Sequence, residues 1–182
     1  MALHAATIHA SAVLSGARAV LIRGPSGAGK SRLALELIEA ARCGLLQFAR
    51  LVGDDRVQLE AAAGRLLVRP AQALAGLIEV RGVGLLRVAY EPSAVVGLVV
   101  DLAAPDAERL PESGQRKIAV SGILLPRLGV AAGMEALPAV LAVLTSRLEL
   151  DRDGSSQSFE PDASRPGFFS PDSAVLVSDA RS

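Results

Sequence analysis

Apolar residues in this chain come in short runs stopped by Gly, Arg or Asp, and the spacing inside each run predicts an element. Ala19-Val-Leu-Ile-Arg23 is a continuous apolar stretch closed by a glycine cluster, the pattern of a buried strand. From Ser31 to Ala41 the apolar positions Leu33, Leu37, Ile38 and Ala41 share one face at helical spacing. Arg50-Leu-Val-Gly53 reads as a second short strand that ends at Asp54 and Asp55. Arg65–Val68, Leu77–Val80 and Leu85–Val88 are further strand candidates. Val95–Val100 is the clearest strand, β-branched and apolar, closed by Asp101. Residues 134–149 have a helical pattern, with Pro138 tolerable only near the first turn or as a kink. Alternating strand and helix signals over residues 1–150, without internal repeat, predict one mixed α/β domain.

Composition changes after residue 150. Of the 32 residues from Asp151 to Ser182, 13 are Gly, Ser or Pro, so 151–182 reads as a disordered tail. It still holds Phe159, Phe168 and Phe169, which leaves open a docking role. Over the whole chain, Lys+Arg and Asp+Glu both count 19, which argues against a protein held to nucleic acid by phosphate contacts. Mean hydropathy is +0.39, yet no apolar run reaches the 18 or so residues of a membrane span. The start, Met1-Ala-Leu-His-Ala, lacks the basic and apolar regions of a signal peptide, and Cys43 has no second cysteine to pair with. A cytoplasmic protein with no membrane and no nucleic-acid partner is the expectation.

One octet carries specific chemistry. Gly24-Pro25-Ser26-Gly27-Ala28-Gly29-Lys30-Ser31 fits G-x-x-x-x-G-K-[ST] in full, with a strand before it and an amphipathic helix after. Glycines allow backbone N–H groups to converge on anionic oxygens, and the helix N-terminus adds its positive dipole end. Lys30 can span the β- and γ-phosphates, and the Ser31 hydroxyl can coordinate Mg²⁺. Lys30 is one of two lysines against 17 arginines, so a lysine at this position stands out. The octet predicts binding of a nucleoside triphosphate.

The phosphate acceptor must be read from other residues. Asp54 and Asp55 follow a short strand, where strand C-termini meet a ligand crevice. Neighbouring residues there point in opposite directions, so one carboxylate can be a general base and the other can lie near the metal. A plain Asp-Asp turn fits as well. Glu79, flanked by apolar residues, needs a cation or a metal; Arg81 on the same strand face would make an exposed ion pair. His9, 15 residues before Gly24, is by residue type alone more readily structural than catalytic, and no Cys or His cluster surrounds it.

His9, Gly24–Ser31, Leu51-Val-Gly-Asp-Asp55 and Ile78-Glu-Val-Arg-Gly-Val-Gly-Leu-Leu86, in this order and spacing, resemble the catalytic domain of HPr kinase/phosphorylase over residues 1–150. The resemblance implies a P-loop-containing mixed sheet with flanking helices, like PEP carboxykinase. It implies phosphorylation of a serine of the phosphocarrier HPr with ATP and Mg²⁺, and the reverse attack of inorganic phosphate on phosphoserine. It implies His9 as an active-site histidine, Lys30 and Ser31 as phosphate and Mg²⁺ ligands, and Asp55 as proton acceptor with Asp54 beside it. Glu79 becomes a metal ligand and Arg109 a catalytic arginine, while Arg127 falls where the family has a basic loop near the phosphates. A homo-oligomer, hexameric by resemblance, is also implied. Departures point to a short single-domain form: no counterpart of the separate N-terminal domain, Ala10 where glycine is usual, extra residues around Cys43–Arg50, and a trimmed loop at Arg127. Two other readings stay open, a small-molecule kinase built on the same loop and a nucleotide-gated regulatory module without chemistry.

Overall fold

The computed structural model describes residues 7–146. The expected tail 151–182, its phenylalanines and the last residues of the 134–149 helix lie outside the described residues. Between them, the chain runs through β1 (Thr7–His9), β2 (Ser11–Ser15), β3 (Arg18–Arg23), α1 (Lys30–Arg42), β4 (Ala49–Gly53), β5 (Arg56–Ala62) and β6 (Arg65–Pro70). It continues through β7 (Leu77–Val80), β8 (Gly84–Arg87), β9 (Ala94–Leu102), β10 (Lys117–Val120), β11 (Ile123–Val130) and α2 (Leu137–Thr145). The fold is mixed α/β as expected, but strands dominate it. Regular alternation with helices does not occur; two α-helices serve eleven strands among the described residues. Pro138 sits in the first turn of α2, which therefore starts three residues later than its apolar pattern suggested.

Nine strands form one sheet in the order β1-β5-β6-β9-β3-β2-β4, with β11 also paired to β9 and β10 to β11. β3 and β11 flank β9 in parallel, while β2 is antiparallel to both β3 and β4. It follows that β3, β4, β9 and β11 all point the same way. Their C-terminal ends meet along one edge, and every loop that matters below leaves from that edge.

Alternation on β3 explains its unbroken apolar run. Val20 and Ile22 pack with Leu33, Ala34, Leu37 and Ala40 of α1 on one face, whereas Ala19 and Leu21 join the opposite cluster. Val140 of α2 lies on the α1 face. The other face is covered by the sheet itself, as Val57, Leu66 and Val68 of β5 and β6 pack with Ala12, Leu21 and Val52. Each leucine fully buried here contributes about 2 kcal/mol. β7 and β8 form a separate two-stranded hairpin, anchored to the α1 face by the buried Ile78.

Candidate active site

The octet after β3 forms the floor of an open cleft of about 1300 Å³. Gly24 has φ 146°, and a Cβ there would lie 2.8 Å from the carbonyl oxygen of Leu102, so the loop can cross β9 only as glycine. Gly29 caps α1 at φ 94°, with no side chain capping the helix. The first intrahelical bond of α1 is Leu33 N–H to Gly29 O at 2.9 Å, which leaves the preceding N–H groups of the first turn open to the cleft. That is a backbone site for an anion, and Ser26, Lys30 and Ser31 line it. Lys30 is 6% exposed, and its Nζ donates to the carbonyls of Gly24 (3.0 Å) and Pro25 (2.9 Å). Burial lowers its pKa from the ordinary 10.5, and the nearby charges of Asp55 and Asp54 work against that shift.

Asp54 and Asp55 diverge as adjacent residues at a strand end should. Asp55 takes φ 62°, a left-handed conformation that aspartate tolerates, and its exposed carboxylate lines the cleft. β1 pairs with β5 so that His9 faces Arg56, next to Asp55. His9 Nε2 lies 3.1 Å from Asp55 Oδ1, so the imidazole and the carboxylate are in direct contact. Lysine and acids therefore share one side of the sheet.

Asp54 turns inward and is 2% exposed. It does not line the cleft with Asp55, and the bonds it makes are to the protein itself. Its Oδ1 accepts the hydroxyl hydrogen of fully buried Ser11 at 2.5 Å, and its Oδ2 accepts the backbone N–H of Glu79 at 3.1 Å. Asp54 thus hangs the β7–β8 hairpin from the turn that presents Asp55. Sequence reasoning passed over Ser11, although a lone serine between Ala10 and Ala12 in an apolar stretch signals a buried polar partner. Ser11→Ala should lower stability by about 2 kcal/mol, because a buried carboxylate loses its hydroxyl donor. Urea denaturation checks this; an unchanged midpoint would contradict the support assigned to Ser11.

Glu79 leaves β7 exposed and lines the same cleft as Lys30, Ser31 and Asp55. It makes no ion pair with Arg81 among the described residues, so the exposed-pair reading does not hold. Among the described residues, no group of three or more His, Cys, Asp or Glu converges to hold a metal unaided. Mg²⁺ needs no such cage, since one carboxylate, one hydroxyl, substrate phosphates and water suffice. Ser31 and Glu79 on one cleft fit that donor set.

Two expected arginines lie elsewhere. Arg127 is in β11 rather than a loop, outside the cleft lining, with all three side-chain nitrogens engaged. Its Nε meets Asp101 at 2.7 Å, and its two terminal nitrogens meet Asp106 at 2.7 and 2.8 Å. Asp101 also accepts two bonds from Arg23, at 2.8 and 2.9 Å. Three of its five N–H donors go to these two carboxylates, and this charge network was invisible to a reading of local sequence. Arg109 sits exposed on the loop after β9, also outside the cleft lining.

Burial alone would raise the pKa of Asp101, but the bonds from Arg23 and Arg127 prevail and hold it below its ordinary 3.8. A carboxylate with a depressed folded value contributes stability above the unfolded value and loses it as pH falls through the folded one. Arg127→Ala should therefore cost about 3 kcal/mol at pH 7 and flatten the acid limb of the stability profile below about pH 4. Urea midpoints across pH test it; an acid limb equal to that of the parent chain would refute the account.

A family model described as HPr Serine kinase C-terminal domain matches residues 3–127. The chain belongs to this family. The HPr kinase/phosphorylase of Limosilactobacillus reuteri (strain DSM 20016) is 37% identical over 123 residues, 61% of this chain and 36% of that protein. That of Streptococcus pyogenes serotype M5 is 35% identical over 122 residues, 61% of this chain and 37% of the relative. The chain thus spans little more than a third of the length of these curated relatives. Its structure resembles that of the Hpr(Ser) kinase/phosphatase from Coxiella burnetii, with TM-score 0.61, 26% identity, and coverage of 76% of this chain and 93% of the other. Every HPr kinase element read from the sequence, from His9 to Leu86, falls inside the matched residues. The cleft wall from Val130 to Pro138 lies beyond them.

Proposed function

We propose that the chain is a Mg-dependent kinase that transfers the γ-phosphoryl group of ATP to a serine of an HPr-like phosphocarrier protein. The reverse attack of inorganic phosphate on that phosphoserine belongs to the same proposal. The observation that carries it is Asp55, in contact with His9 and open to the cleft whose floor is the glycine loop. Membership of the HPr kinase family supports the choice of acceptor.

In the forward direction Asp55 accepts the serine hydroxyl proton as the oxygen attacks the γ-phosphorus and the bond to the β-phosphate oxygen breaks. Lys30 turns from the loop carbonyls to the phosphates and offsets charge on the transferred group. The backbone N–H groups of the first turn of α1 hold the phosphates in register. Ser31 and Glu79 are the residues that would hold Mg²⁺, which supplies further neutralisation of phosphate charge. In reverse, the protonated Asp55 returns its proton to the departing serine oxygen, and the phosphoryl group passes to phosphate.

Incubation of the chain with γ-labelled ATP, Mg²⁺ and an HPr protein tests the proposal, with label expected on a serine. Transfer to a small-molecule pool with HPr unlabelled, or ATP binding without transfer to either, would overturn it.

A further inference from the structure

Behind the cleft, four charged side chains tie three parallel strands together. Arg23 closes β3 and stands directly opposite Asp101 of β9. Its Nε and Nη2 meet the two oxygens of that carboxylate at 2.8 and 2.9 Å. Asp101 Oδ2 also accepts from Arg127 Nε of β11 at 2.7 Å, and Arg127 carries the chain of charge on to Asp106. The side chains of Arg23, Asp101 and Arg127 are 27%, 14% and 11% exposed, so little water screens these pairs.

Two of these residues each stand one step from the phosphate cradle. Arg23 precedes Gly24, and Asp101 precedes Leu102, whose carbonyl oxygen would lie 2.8 Å from a Cβ at Gly24. After Leu102 the chain turns through Ala103, which lines the cleft at φ 54°, a conformation alanine rarely adopts. Such strain persists only where the surroundings over-determine it. The bonds from Arg23 and Arg127 to Asp101 hold one side of that turn. Ala104 N–H, bonded to Val130 O at 2.9 Å, holds the other. Gly24 and Pro25 in turn supply the carbonyls that accept from Lys30 Nζ. Arg23, Asp101 and Arg127 do not line the cleft, so they act on a ligand through the backbone.

We infer that Arg23 and Asp101 are positioning residues for the triphosphate site. Their two-pronged pair fixes where the glycine loop leaves β3, and with it the two carbonyls that aim Lys30. This rests on the triphosphate reading of the same cleft. Arg127 has a different share in the network. It ties Asp101 to β11 and to Asp106, and its removal leaves both bonds from Arg23 in place. Stability and ligand position are therefore separable. Arg127, the more buried and the more fully bonded arginine, carries chiefly the first, and Arg23 the second.

Calorimetric titration of the full chain with ATP and Mg²⁺, beside urea midpoints of each variant, tests that separation. Arg23→Ala should weaken ATP binding about tenfold. Arg23→Lys keeps the charge but loses the planar fork, puts folding less at risk, and should bind about threefold more weakly than the parent chain. Arg127→Ala should lose more stability than either and still bind ATP within about twofold of the parent. Parental affinity in the Arg23 variants, or a loss in Arg127→Ala as large as theirs, would overturn the positioning role and leave the phosphate cradle intact. No ATP binding by the parent chain would overturn the triphosphate reading beneath it.

Discussion

Asp55→Asn is expected to slow phosphoryl transfer to the serine acceptor by about 10²- to 10⁴-fold, the range of a lost general base. Asparagine keeps the shape of the side chain and a partner for His9 Nε2, which lies 3.1 Å from the carboxylate. It cannot accept the hydroxyl proton. The same substitution removes a negative charge from a cleft built for phosphates, so ATP should bind at least as tightly as before. kcat falls while KM for ATP does not rise, a split that simple loss of structure would not give. The phosphorylase direction should fall in parallel, because the group that takes the proton in one direction returns it in the other. Transfer by the variant at near the parental rate would remove Asp55 from the chemistry.

Lys30→Ala should produce the second large loss, about 10²- to 10³-fold in transfer, together with weakened triphosphate binding. The ammonium is buried and held by two loop carbonyls, poised over the positions the phosphates would take. Its lowered pKa gives this prediction a pH signature. Bound phosphate favours the ammonium, so triphosphate affinity should decline as pH rises through the lowered value, and binding near that pH should take up protons. Without ligand, the unfolded chain holds more protons than the folded one between the lowered value and 10.5. Stability should therefore rise with pH across that window, and Lys30→Ala should abolish the slope. Calorimetry in buffers of different ionisation enthalpy reads the proton uptake; its persistence in the variant would assign it to another group.

What could be read in advance was what lies close together along the chain. The glycine octet announces itself because strand, turn, lysine and helix N-terminus are consecutive, and the backbone delivers them together whatever surrounds them. Asp55 and Glu79 were legible as costly charges at or inside apolar runs. The β5 strand escaped notice although Val57 and Leu59 alternate with Gln58 and Glu60, a half-buried pattern obscured by the polar residues on its outer side. Arg127 shows the opposite limit. Its partners Asp101 and Asp106 are 26 and 21 residues away, and only the parallel pairing of β11 with β9 brings Arg127 beside Asp101. The lining of the cleft was partly illegible for the same reason, since Ala103 and Met134 come to line it together only when the ends of β9 and β11 are aligned. The covering of the second sheet face by β5 and β6 likewise depends on how the sheet curls.

Asp54 ties together two groups that line the cleft without itself lining it. By gripping the hairpin through the Glu79 amide and standing next in the chain to Asp55, it sets the span between Glu79, proposed to hold magnesium, and Asp55, proposed to take the proton. That span is a built-in ruler, kept in a dry interior where solvent cannot loosen it. A change at Ser11 or Asp54 would thus be felt as misalignment of both halves at once, and a scan of substitutions should find these two concealed positions as intolerant as the exposed ones they calibrate.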